Sequence, residues 1–105
     1  MKTYIISYNL RGRDRDYSDF YNAIKTSIPE NRHILETAWI VKTDLTAKEI
    51  LETLVAHLRF VDLDCDTIFV AEINKENVNG MIARTLWPFI LDKEEDGEKD
   101  KEKVG

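Results

Sequence analysis

Thr37-Ala38-Trp39-Ile40-Val41-Lys42-Thr43-Asp44-Leu45-Thr46-Ala47-Lys48-Glu49 changes its period partway along. Its first half is β-branched and aromatic, as a buried strand is. Its second half opens a helix. Thr46 and Glu49 stand at the spacing of a capping box, in which each side chain reaches the other's backbone N–H. Leu45 and Ile50 flank the cap as a hydrophobic staple. Ile50, Leu51, Leu54 and Leu58 recur at helical spacing, which predicts a buried face on a helix running to about Arg59.

Upstream, residues 32–43 as a whole are extended in character. They read either as one bent strand or as a tight hairpin turning near Glu36–Thr37. Pro29 closes the segment before them. Tyr17, Phe20, Tyr21, Ile24 and Ile28 share one helical face, and Asp16 is placed to cap that helix, which runs to about Ser27. Residues 2–10 carry no breaker and read as a strand. Tyr4, Ile6, Tyr8 and Leu10 point one way, and Thr3, Ile5, Ser7 and Asn9 the other. Arg11 to Asp16 is a charged loop.

Downstream, Asp66 to Ile73 reads as a further strand and Asn77-Val78-Asn79-Gly80 as a turn. Met81 to Leu91 is an apolar arm of undecided type, in which Pro88 argues against a helix interior. The order is β-α-β-β-α-β, the α+β pattern of a ferredoxin-like sandwich: an antiparallel sheet, two helices on one face, and here an added arm. Many unrelated activities use that fold, so function has to come from particular residues.

Composition narrows the class. The chain has 105 residues, enough for one domain, and 43% of them are apolar, enough for a core. Lys plus Arg total 15 against 20 for Asp plus Glu, a net charge of −5. That balance does not suit a non-specific nucleic-acid coat. The single cysteine, Cys65, excludes an intrachain disulfide and a cysteine-based zinc site. No run of about 18 apolar residues could span a bilayer, and the N-terminal apolar stretch is too short for a secretory signal. A cytoplasmic location is expected. Residues 92–105 hold seven acids and four lysines, a charge of 4 − 7 = −3, and are expected to be a disordered acidic tail after a domain over 1–91.

The candidate chemistry is sparse. Arg11, Arg13 and Arg15, spaced by two, suit a grip on successive phosphates, with Asp14 and Asp16 between them as ion-pair partners. Gly12 is the only glycine nearby, so no P-loop is present. Asp62, Asp64 and Asp66 imitate the start of a calcium loop, but Thr67 and Ile73 stand where its glycine and glutamate belong. His33 and His57 have no nucleophile beside them in sequence, and His57 falls in the last turn of its helix, where a charged imidazole is favoured. Ser7 lies within a strand with no elbow motif around it. Cys65 reads as a small buried hydrophobe. Trp39, Trp87 and Phe89 suit base stacking. Trp39, beside Ile40 and Val41 in its strand, suits a core or a dimer seam better, and the arm is too apolar to stay in water.

A strand ending Ser7-Tyr8-Asn9-Leu10, an aromatic helix, the Thr37–Thr43 strand and the capped helix after it occur in that order. Over roughly residues 1–73 this resembles the small adaptation nuclease family of CRISPR systems (the second Cas protein), and more closely the SinR-like proteins that share its fold. The resemblance implies a ferredoxin-like homodimer with its C-terminal strand docked on the partner, so Trp39, Ile82, Leu86, Trp87 and Phe89 are the expected interface. It also implies a metal-binding Asp after the Tyr of the first strand, one per subunit, for phosphodiester hydrolysis. Here that position is Asn9, a neutral amide that is a poor ligand for Mg²⁺. The expectation is therefore a scaffold that associates with nucleic acid and cuts it weakly or not at all, with no cofactor. A protein-interaction or inhibitor module is the second reading. A metal-dependent endonuclease using Mg²⁺ or Mn²⁺ through relocated carboxylates, Asp14 or Asp16 being nearest, is the third.

Overall fold

The computed structural model describes residues 1–10, 17–58 and 65–93. The charged loop with Arg11, Arg13, Arg15, Asp14 and Asp16 lies outside them, as do Asp62, Asp64 and residues 94–105.

Strand β1 (Lys2–Leu10) is the centre of the first unit. It pairs antiparallel with β3 (Ala38–Thr43) on one side and with β4 (Asp66–Glu72) on the other. Strand β2 (Glu30–Leu35) pairs antiparallel with the far edge of β3, giving the order β2-β3-β1-β4. β1 and β2 are thus parallel to each other with β3 between them, and helix α1 (Ser18–Ser27) makes the crossover that joins them. Helix α2 (Ala47–His57) joins β3 to β4. The result is an α+β unit, a four-stranded antiparallel sheet with helices packed on it.

The alternation expected of β1 holds. Tyr4, Ile6, Tyr8 and Leu10 are all at most 3% exposed and pack with Phe20, Ala23 and Ile24 of α1, Trp39 and Val41 of β3, and Ile50 and Leu54 of α2. Each large apolar side chain removed from water in this way contributes about 1.5–3 kcal/mol. Thr3, Ile5, Ser7 and Asn9 face the other side. On that side, Ala38 and Ile40 are buried in β3, whereas Phe69 of β4 and Leu35 of β2 are 63% and 55% exposed.

The two extended readings of 32–43 resolve as the hairpin, with Glu36–Thr37 as its turn and a register shift between His33 and Leu35. The capping box forms in full. Glu49 N–H donates to Thr46 Oγ1 at 3.1 Å, and Thr46 N–H donates to Glu49 Oε1 at 2.9 Å. Leu51 is a correction: it is 36% exposed, outside the stripe that Ile50, Leu54 and Leu58 bury. The helix also ends at His57, short of Arg59. In α1 the cap position is held by Tyr17, not Asp16, and no side chain caps it. The far end behaves as Pro29 requires. Ile28 is extended, because a residue before proline is pushed out of the helical region.

The described residues 74–93 belong to a second compact unit. Its turn starts at Asn74, three residues before the expected one: Asn77 N–H donates to Asn74 O at 2.9 Å, and Glu76 N–H to Asn74 Oδ1 at 3.0 Å. Leu86–Leu91 is a short helix, α3, with Pro88 inside it. The objection to a helix there fails on position. Pro88 is the third residue, within a first turn whose N–H groups have no helical acceptor in any case. Asp92, assigned by sequence to the tail, is the left-handed cap of α3 (φ 60°), and Lys93 N–H returns to Pro88 O at 2.9 Å. Lys75 is ion-paired with Asp92.

Candidate functional site

Three elements meet around one hydroxyl. β1 delivers Tyr8 to the helix side of the sheet, the hairpin delivers His33 and Trp39 as cross-strand partners, and α1 delivers Tyr17, Phe20 and Tyr21. Tyr8 OH donates to the Glu36 carbonyl at 3.0 Å and accepts from Trp39 Nε1–H at 3.1 Å. His33 Nε2 lies 3.5 Å from the same oxygen. The hydroxyl has one proton and Glu36 holds it, so His33 joins this set only with Nε2 as donor. Tyr21 OH donates to the same carbonyl at 3.4 Å.

The rings are tightly stacked. His33 lies flat on Trp39, with centroids 4.4 Å apart and planes 8° apart, while Tyr21 meets His33 edge-on at 4.8 Å. Tyr8 contacts Phe20 at 4.5 Å and Tyr17 at 5.6 Å. Tyr17 OH also accepts from Leu10 N–H at 3.3 Å, which ties the end of β1 to the start of α1. The Tyr8 phenol is held far above its ordinary range. Burial is the main cause and the neighbouring Tyr21 hydroxyl adds to it, while the Trp39 N–H works in the opposite direction. Tyr8 is therefore a neutral phenol at any physiological pH, suited to orienting the turn and not to acting as a nucleophile or base.

Asn9 is the next residue and faces the opposite side of the sheet. It is exposed, and it pairs in register with Thr67 of β4. The structure thus separates the resemblance-derived residue from the aromatic cluster. Arg11, Arg13 and Arg15 lie outside the described residues. Trp39 belongs to the core, at 2% exposure. Of the arm, Ile82, Leu86 and Trp87 are half-buried and Phe89 is buried. Ser7 pairs with Ala38 and Phe69 inside the sheet. His57 Nδ1 contacts the Thr53 carbonyl at 2.9 Å, on α2 and away from any cluster. Cys65 is half-buried, not buried as expected, and is not in a disulfide. Among the described residues no three His, Cys, Asp or Glu side chains are grouped to hold a metal ion. None of the described helices is long and apolar enough to cross a membrane.

The sequence reading missed the Tyr8–His33–Trp39 set. The hairpin alternative alone does not contain the signal: a turn at Glu36–Thr37 sets Leu35 opposite Ala38, and only the register shift between His33 and Leu35 then brings His33 opposite Trp39. Against known proteins, the chain matches no family model, no curated protein and no solved structure.

Proposed function

We propose that this chain is a ferredoxin-like, homodimeric relative of the CRISPR adaptation nucleases, near their SinR-like members, that holds nucleic acid without cutting it. The element order β1-α1-β2-β3-α2-β4, with β3 between β1 and β2, supports the fold part of this reading. The observation that carries the functional part is Asn9. It is exposed at the next-to-last position of β1, directly after Tyr8. That is where the resemblance calls for a metal-binding acid, and a neutral amide there does not fit a hard divalent cation. A reading as a protein-interaction module is favoured by Phe69 and Leu35, both exposed on the sheet face away from α1 and α2.

The test uses the purified full chain with labelled RNA and DNA in Mg²⁺ or Mn²⁺, beside an Asn9→Asp variant. Binding that weakens steeply with salt, without cleavage, is the expected result. Cleavage by the wild-type protein that chelation abolishes would overturn it. Cleavage gained only by Asn9→Asp would mark a degenerate metal site. Absence of binding at every salt concentration would favour the protein-interaction module. Sedimentation across a dilution series tests the dimer, and a compact monomer at all concentrations sinks it.

A further inference from the structure

The Asn77-Val78-Asn79-Gly80 run has no part in the nucleic-acid reading. Residues 78–83 are neither helix nor strand, and Asn79 and Gly80 are both exposed. Gly80 N–H donates to the Oδ1 of Asn79 itself at 2.8 Å. That contact brings the Asn79 side-chain amide against the Gly80 backbone nitrogen, the two groups that ring closure joins. Nothing lies within 4 Å of where a Cβ would sit on Gly80, so a side chain can be added there without a clash.

We propose that Asn79 is a site of spontaneous deamidation, with the Gly80 backbone nitrogen as nucleophile and water as co-reactant. The Gly80 nitrogen loses its proton to solvent and forms a bond to Asn79 Cγ. The Cγ–Nδ2 bond breaks, and the nitrogen leaves as ammonia, taking up a proton. The five-membered cyclic imide that results adds one water and opens at either carbonyl. The products are aspartate at position 79 in the normal chain, or isoaspartate with an extra main-chain methylene. Water enters, ammonia leaves, and nothing is oxidised or reduced.

The remaining asparagines are less suited. Asn9 lies in β1 and Asn22 in α1, where the regular backbone fixes the next N–H. Asn31 Nδ2 donates to Ile28 O at 2.7 Å and Pro29 O at 3.2 Å. Asn74 Oδ1 is engaged two residues on, by Glu76 N–H. Asn77 precedes β-branched Val78, which hinders the ring.

Incubating the full chain at mildly alkaline pH, followed by peptide mapping, tests this. Conversion is expected at position 79 ahead of the other five asparagines, with aspartyl and isoaspartyl products both present. Gly80→Ala, which the open space accommodates, is expected to slow it by about tenfold. A parallel sample in denaturant separates fold from sequence. The native rate should equal or exceed the unfolded one. The proposal is overturned by an intact residue 79 while other asparagines convert, by an unchanged rate in Gly80→Ala, or by native protection relative to the unfolded chain.

Discussion

Tyr8 decides more of the local structure than any other single residue. Its hydroxyl uses its proton on Glu36 and its oxygen on Trp39, so it joins β1 to the hairpin turn and to the buried indole at once. Tyr8→Phe leaves the ring packing with Phe20 in place and removes only the oxygen. Trp39 Nε1–H, in a side chain 2% exposed, then has no acceptor. The expected cost is about 1–3 kcal/mol in equilibrium denaturation, because a buried donor left unpaired loses its hydration without compensation. The same substitution changes the pH dependence. The folded-state pKa of Tyr8 lies above its unfolded value of about 10. Its contribution to stability is therefore complete below about pH 10 and is lost as pH rises from there toward the folded pKa. Wild-type stability should fall across that alkaline window, and Tyr8→Phe should flatten the fall. An equal slope in the two proteins would mean that another group governs alkaline unfolding.

The elements differ in how plainly their sequences announce them, and the difference follows from the range of the signal. β1, the hairpin and α2 rest on local cues: unbroken alternation, a turn between two β-branched runs, and a cap with its partner three residues on. All three stand where the residues place them. Thr46→Ala removes the α2 cap and should cost about 1 kcal/mol, with the denaturant slope unchanged. A loss far below that would show that tertiary packing of Ile50 and Leu54 alone holds the helix start. α3 was hidden because Pro88 counts against a helix only beyond the first turn, and that turn begins at Leu86 with no side-chain cap to announce it. Tyr17 replaces Asp16 as cap for a related reason: its hydroxyl is held by Leu10 N–H, a contact between elements that helix periodicity cannot contain. The Tyr8–His33–Trp39 set was legible only in part. The hairpin brings His33 and Trp39 onto neighbouring strands, but their pairing depends on the register shift between His33 and Leu35, and Tyr8 joins them through the β1–β3 register; spacing within one element specifies neither.

At the scale of the whole chain, charge is distributed in a way that bears on the proposed nucleic-acid binding. Net charge is 15 − 20 = −5. Residues 94–105 hold three lysines and six acids, 3 − 6 = −3, which leaves −5 + 3 = −2 for residues 1–93. A chain ending at Lys93 keeps Asp92, and with it the α3 cap and its ion pair with Lys75, while losing most of the excess negative charge. A phosphate backbone meets less repulsion from the shortened chain, so labelled single-stranded RNA should bind it more tightly than the full chain at low salt. Both affinities should fall as salt rises, because counterions compete for the contacts. The difference between the two chains should narrow at the same time, as screening shortens the reach of the C-terminal charge to about 8–10 Å near physiological ionic strength. Titrations of both chains at several salt concentrations read this directly. A constant gap would assign the effect to contacts made by residues 94–105 themselves. Identical affinities for the two chains that both fall with salt would show that this charge does not act on binding and direct the search to the basic run Arg11, Arg13 and Arg15.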